Sequence, residues 1–169
     1  MNAHPTLRYI SRTSHEFMLV PLRETAPPNM LSAMECPDQV AEYGFRHLMA
    51  GPCYKPGVEN FWVLFLNTRR KLIGHVHVST GTMDTLLIHP REVFRPAIVA
   101  DAAAIVLVHN HPSGDPSPSE ADIKITRDLI RAGQLLKIEV MDHVILGHPG
   151  PDRATRRSSL RELGYFFSA

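Results

Sequence analysis

With 169 residues, the chain can build one domain with a sizeable core but not two comfortable ones. Its 44% hydrophobic and 21% charged residues are those of an ordinary globular protein, and 18 basic against 17 acidic residues exclude a global electrostatic attraction for nucleic acid. Cys36 and Cys53, its only cysteines, exclude a disulfide framework and a cysteine-rich zinc site, and no run approaches the ~20 apolar residues of a membrane span. A cytoplasmic, soluble protein is expected.

In chain order, residues 1–50 read as an N-terminal extension and 51–169 as the domain that carries the core. Leu7–Ile10 and Phe17–Leu22 suit a hairpin, which Pro21 and the Pro27-Pro28 pair confine to an edge. Asp38 is expected to cap a helix through Val40, Tyr43, Leu48 and Met49, ended by Gly51-Pro52. Phe61–Leu66 and Lys71–Val78 are two strands joined by the polar turn Asn67–Arg70, and Thr85–Ile88 is a third, short strand. Pro90 sits in the first turn of a helix through Val93, Phe94, Ala97 and Ile98. The apolar run Ala102–Val108 is a buried strand that leads into His109. Ser119 starts a helix with Ile123, Leu129 and Ile130 inside, closed by Gly133. Leu135–Leu146 supplies a last strand region, and the segment from Gly147 to Arg157 reads as a mobile loop. The alternation predicts an α/β fold with a mixed central sheet flanked by helices.

Ten histidines are more than such a chain needs, and two of them sit where chemistry is plausible. His109 and His111, two apart at a strand end, point to the same side of the sheet. Asp122, at the third helical position after Ser119, points back toward that strand end. Pro112, Pro116 and Pro118 stiffen the loop between them, and Gly114 permits its tight turn. Two nitrogens, one oxygen and an open fourth position make up a catalytic rather than a structural zinc site. One Zn2+ per chain is the expected metal, and the same donors suit iron, manganese or nickel. Ser119 to Asp122 also fits a plain capping box, in which nothing binds metal. A proton acceptor is still required beside the metal's water. Glu59 suits that role by position, with Glu92, Glu120 and Asp84 as rivals, and Ser119 could hydrogen-bond an oxyanion.

His109-x-His111, Ser119-x-x-Asp122 and the upstream Glu59 together resemble the JAMM (JAB/MPN+) metalloprotease motif. The closer likeness is to the RadC-like branch. It rests on Glu59-Asn-Phe61, Leu66-Asn-Thr-Arg69, Gly81-Thr82, Pro90-Arg-Glu-Val-Phe94, His109 to Gly114 and Pro118 to Asp122. It continues through Ala132-Gly133, Asp142-His-Val-Ile145 and Ser159 to Gly164, and so covers Glu59 to the C-terminus. The resemblance implies a cytidine-deaminase-like α/β/α sandwich with zinc held by His109, His111 and Asp122. It further implies that Glu59 deprotonates the zinc water, that Ser119 stabilises the oxyanion, and that a peptide or isopeptide bond is cut. A peptide or protein substrate, such as a ubiquitin-like or C-terminal tail, is the expected partner. Full-length RadC-like proteins carry an N-terminal helix-hairpin-helix DNA-binding region, of which residues 1–50 show no sign.

His75-Val-His77 repeats the spacing without a companion carboxylate, so a solvent-facing strand face is expected there. Asp142 and His143 read as strand-end supports beside the site. Arg153, Arg156 and Arg157 form a small basic cluster, usually a solvated loop. The competing functions are a DNA-associated accessory protein with little protease activity, and a peptide-binding module without turnover.

Overall fold

The computed structural model describes residues 33–81, 88–148 and 156–166. Strand β1 (Asn60–Leu66) is buried along its whole length, because it runs through the middle of the sheet with helices on either side. Asn67 then turns the chain: its Oδ1 accepts the amides of Arg69 (2.9 Å) and Lys71 (3.1 Å). The chain returns as β2 (Leu72–Thr80), antiparallel to β1 and at the sheet edge. Helix α2 (Pro90–Val99) leads into β3 (Ala104–Asn110), which pairs antiparallel with the other side of β1. A parallel neighbour needs a crossover. Helix α3 (Glu120–Leu136) provides it and delivers β4 (Glu139–Leu146) parallel to β3. A short β5 (Arg157–Ser159) closes the order β2-β1-β3-β4-β5.

The alternation of side chains along β1 and β3 separates two apolar layers. Trp62, Leu64, Leu66, Val106 and Val108 face α1 (Pro37–Tyr43) and the π-helical turn Gly44–Leu48 that continues it. Phe61, Val63, Phe65, Ile105 and Leu107 face α2 and α3 through Val93, Phe94, Ala97, Ile125 and Leu129. This is the expected α/β/α layering on a mixed sheet. Each large apolar side chain fully buried there contributes roughly 1.5–3 kcal/mol of transfer free energy. The residue 50/51 boundary does not interrupt the first layer, since Met34, Val40, Ala41 and Leu48 belong to it.

Several expectations are corrected. Helix α1 has Cys36, not Asp38, at its N-cap, because Pro37 takes the first helical position and draws the start two residues earlier. Helix α3 runs past Gly133 to Leu136 and ends on Lys137 in the left-handed conformation (φ 59°). Gly133 serves close packing instead, since a Cβ there would stand 2.5 Å from the Ile138 carbonyl oxygen. The last long strand accordingly begins at Glu139, and Arg157 opens β5 rather than ending a loop. His75 and His77 are half-buried rather than solvent-facing. His75 Nδ1 lies 2.9 Å from the Tyr43 hydroxyl, and His77 stacks on Trp62 with ring centres 5.2 Å apart. The hairpin proposed for residues 7–22 lies outside the described residues, as do Asp84, Arg153 and all of the third short strand except Ile88, which is not in a strand.

Candidate metal centre

The site forms at the carboxyl end of β3, where an α/β sheet characteristically opens beside a helix N-terminus. His109 continues the inward row of Ile105 and Leu107, so its ring faces α3 and is fully buried. Phe61 stacks on it from β1, with centres 6.3 Å apart and 17° between the planes. His111 lies one residue beyond β3 on the same side. Asp122 arrives from the first turn of α3, where a carboxylate also suits the helix dipole. Ser119 fixes it there: its backbone amide and its hydroxyl each donate to Asp122 Oδ2 at 2.7 Å, while the Asp122 amide donates to Ser119 Oγ at 3.2 Å. Capping box and site geometry are thus one structure.

Three donor atoms converge. His109 Nε2 and His111 Nε2 are 3.0 Å apart, and they stand 3.3 and 3.4 Å from Asp122 Oδ1 and Oδ2 respectively. A metal ion with tetrahedral bonds of 2.0–2.1 Å spaces its ligands by about 3.3 Å, so the cluster has the dimensions of half-built zinc coordination. The chemistry of the donors agrees. His111 Nδ1 lies 2.7 Å from the Asp115 carbonyl oxygen, which can only accept, so Nδ1 carries the proton and neutral His111 presents a lone pair at Nε2. Lone pairs and a carboxylate crowded at these distances repel one another unless a proton or a metal cation lies between them. Among the described residues, His109, His111 and Asp122 are the group able to hold a metal ion.

The protonation preferences follow from the same crowding. Burial, and then the neighbouring His143, push the His109 imidazole well below its usual range, against the pull of Asp122. Burial also works against charge on His111, but the hydrogen bond to Asp122 and the Asp115 carbonyl outweigh it and raise its pKa. Burial opposes ionisation of Asp122 too, yet His111, His109 and Ser119 hold its carboxyl well below the ordinary carboxylate range.

The remaining predicted residues are placed as follows. Phe61 pairs with His109 across β1 and β3, and Glu59 and His111 each lie one residue beyond the ends of those strands. The Glu59 carboxylate is close enough to help raise the His111 pKa. Its backbone carbonyl accepts the Gly81 amide at 2.9 Å. Of the rivals, Glu92 accepts the His89 amide as part of the α2 cap, and Glu120 is exposed. His143 reaches the cluster, with Nε2 2.8 Å from His109 Nδ1. Asp142 turns away from it. Its carboxylate accepts from Ser159 Oγ at 2.6 Å and from the Arg161 amide at 3.1 Å, and so anchors the C-terminal turn. Arg157 pairs with Asp38 at 2.8 Å and with Glu162, and Arg156 lies over the Phe45 ring at 4.5 Å.

Two groups of supporting residues escaped the sequence reading. Asn110, between the two histidines, points to the opposite face; its Oδ1 accepts the Asn60 amide and the Asn60 Nδ2 at 3.0 Å each. Its Nδ2 donates to the Val58 carbonyl at 3.1 Å, so the loop bearing Glu59 is tied to the strand bearing the imidazoles. Thr126, one turn along α3 from Asp122, is the other. Asparagine and threonine inside otherwise apolar rows were the available signal in both cases.

The RadC-like JAB domain family model matches residues 34–165. The chain belongs to this family. Relatives of the RadC-like JAB chain include a UPF0758 protein of Caldanaerobacter subterraneus subsp. tengcongensis, 47% identical over 64% of this chain and 44% of the relative. A UPF0758 protein of Moorella thermoacetica is 54% identical over 53% of this chain and 39% of its own length. One from Symbiobacterium thermophilum is 50% identical over 63% and 43%. The chain therefore spans well under half the length of the curated relatives it matches. JAB is a hydrolase-type family, and the buried His109, His111 and Asp122 cluster is compatible with that membership. Among the described residues, no helix is long and apolar enough to cross a membrane.

Proposed function

We propose that this RadC-like JAB chain is a zinc-dependent hydrolase of the JAMM type that cleaves a peptide or isopeptide bond. The observation that carries the reading is the convergence of His109 Nε2, His111 Nε2 and the Asp122 carboxylate within 3.0–3.4 Å of one another. One divalent cation per chain, held by these three, would acidify water and polarise a carbonyl oxygen.

The chain's own groups supply the rest. Glu59, whose carboxylate acts electrostatically on His111, accepts a proton from the attacking water as its oxygen bonds to the carbonyl carbon. As the C–N bond breaks, Glu59 returns that proton to the departing nitrogen. Ser119 donates its hydroxyl to the oxyanion. It is free to turn because Asp122 Oδ2 keeps the Ser119 backbone amide, 2.7 Å away, when the hydroxyl leaves. The substrate proposed is an extended protein tail, ubiquitin-like or C-terminal.

Purified chain should hold about one zinc, measured by elemental analysis. Glu59→Gln should keep that zinc and lose hydrolysis of peptide and isopeptide substrates by roughly 100-fold or more. A folded chain that takes up no zinc overturns the proposal, as does undiminished turnover by Glu59→Gln.

A further inference from the structure

Behind His109 runs a line of buried polar atoms that begins and ends on residues of the cluster. His109 Nδ1 lies 2.8 Å from His143 Nε2, His143 Nδ1 lies 2.6 Å from Thr126 Oγ1, and Thr126 Oγ1 lies 2.5 Å from the backbone carbonyl of Asp122. His109, His143 and Thr126 are each 0% exposed, so no solvent can replace a missing partner. Phe61 covers both rings, stacked on His109 and edge-on to His143 at 5.6 Å.

Each atom has one role open to it once its neighbour is fixed. The Asp122 carbonyl only accepts, so the single Thr126 hydroxyl proton goes to it. Toward His143, Thr126 is then an acceptor, and His143 must donate from Nδ1. A neutral His143 consequently bears a lone pair at Nε2, and His109 donates its own Nδ1–H to it. That leaves His109 Nε2 bare on the side of His111 and Asp122. The opposite arrangement places a proton on His109 Nε2, in the middle of the three donors.

We propose that Thr126 and His143 are positioning residues that lock His109 in its Nδ1–H tautomer and thereby set the affinity of the cluster for a divalent cation. This rests on reading His109, His111 and Asp122 as metal ligands. Outer partners of ligating histidines are ordinarily carboxylates, carbonyls or waters. Here the partner is a second imidazole, and the relay returns to the helix that supplies the carboxylate ligand. Asp122 and Thr126 are four residues apart in α3, so one helical turn carries both the ligand and the end of the relay. A β-bulge makes the alignment possible. The β3–β4 register steps from Ile105↔Val140 to Val106↔Asp142, skipping Met141, and this turns His143 toward α3 beside Leu107 and His109.

The test combines the zinc affinity of the full chain, by competition with a chromogenic chelator, with the histidine ring 15N shifts from long-range 1H–15N spectra. Wild-type spectra, zinc-loaded and metal-free, should show His143 protonated on Nδ1 and bare at Nε2. Thr126→Val should weaken zinc binding roughly 10–100-fold, and Thr126→Ser, which keeps the hydroxyl, should restore it. His143 protonated on Nε2 overturns the proposal. So does a Thr126→Val chain that binds zinc as the wild type does, even if its melting temperature falls, because that leaves Thr126 a merely structural role. A wild-type chain that binds no zinc defeats the reading of the cluster, and the metal-free tautomers then decide the relay on their own. Should Thr126→Val fail to fold, the wild-type spectra still decide.

Discussion

Asn110 shows how a site depends on residues that never face it. Flanked by the two imidazoles of the cluster, it sends its own side chain to the far side of the sheet and is 1% exposed. There it holds the amide and side chain of Asn60, which is 0% exposed and also bonds the carbonyls of Lys55 and Val58 at 2.9 Å each. Replacing Asn110 by Ala strands the Asn60 amide in a dry layer, where an unpaired donor costs about 1–3 kcal/mol, and loosens the backbone on which Glu59 rides. We expect Asn110→Ala to lose about 2–4 kcal/mol in urea denaturation. A loss below about 1 kcal/mol would mean that water or a shifted backbone satisfies Asn60, and that the clamp does not position the loop. The convergence of His109, His111 and Asp122 was legible in the sequence because strand alternation and helix geometry depend on spacing alone. Asn110 was not, since its partner lies 50 residues away and the sheet register that joins them is a tertiary fact.

At the scale of elements, the loop from His111 to Ser119 is held against the end of β4 by backbone contact. His148 donates its amide to the Gly114 carbonyl at 3.0 Å, and Gly114 adopts φ 77°, a conformation glycine takes without penalty. Gly147 makes the approach possible: a Cβ there would stand 2.5 Å from Gly114 oxygen and 2.8 Å from Pro116 Cδ. Gly147→Ala should therefore push the loop outward, cost about 1–3 kcal/mol and weaken zinc binding through displacement of His111. Thermal melting with and without zinc checks both effects, and an unchanged zinc-induced rise in melting temperature would show that the loop is not braced there. Elements with strong periodicity were readable at this scale, including β1, β2, α2, β3 and the start of α3. What escaped were the devices that adjust one element to another. The β-bulge at Met141 and the close crossing at Gly133 have no local signature, and β5 has only three residues, too few to show alternation.

Across the whole molecule, two buried imidazoles in one dry cluster make stability depend on acidity. Burial, more than it is offset by Asp122, pushes His143 down to about 4 from an ordinary 6.5, and His109 is driven down as well. A folded-state pKa below the unfolded one means that between those values the unfolded chain binds a proton and the native chain does not. Stability from such a group is complete above the unfolded value and is lost as pH falls toward the folded one. For His143 alone the loss amounts to roughly 3 kcal/mol between pH 6.5 and 4, and His109 adds to it. His111 has the opposite sign: its raised pKa contributes stability that is fully present below the unfolded value and fades as pH rises through the folded one, so it does not offset the acid loss inside this window. Asp122, held low, contributes stability that is lost only below the ordinary carboxylate range. Metal-free chain should thus be most stable near pH 6.5–7 and lose several kcal/mol by pH 4, with urea midpoints recorded at half-unit steps as the measurement. Saturating zinc adds stability at neutral pH by mass action, and this addition should shrink over the same window as protons compete for His109 and His111. A metal-free chain whose midpoint stays flat from pH 6.5 to 4 would show that His109 and His143 are not held neutral in the core, and the cluster's dry geometry would have to be abandoned.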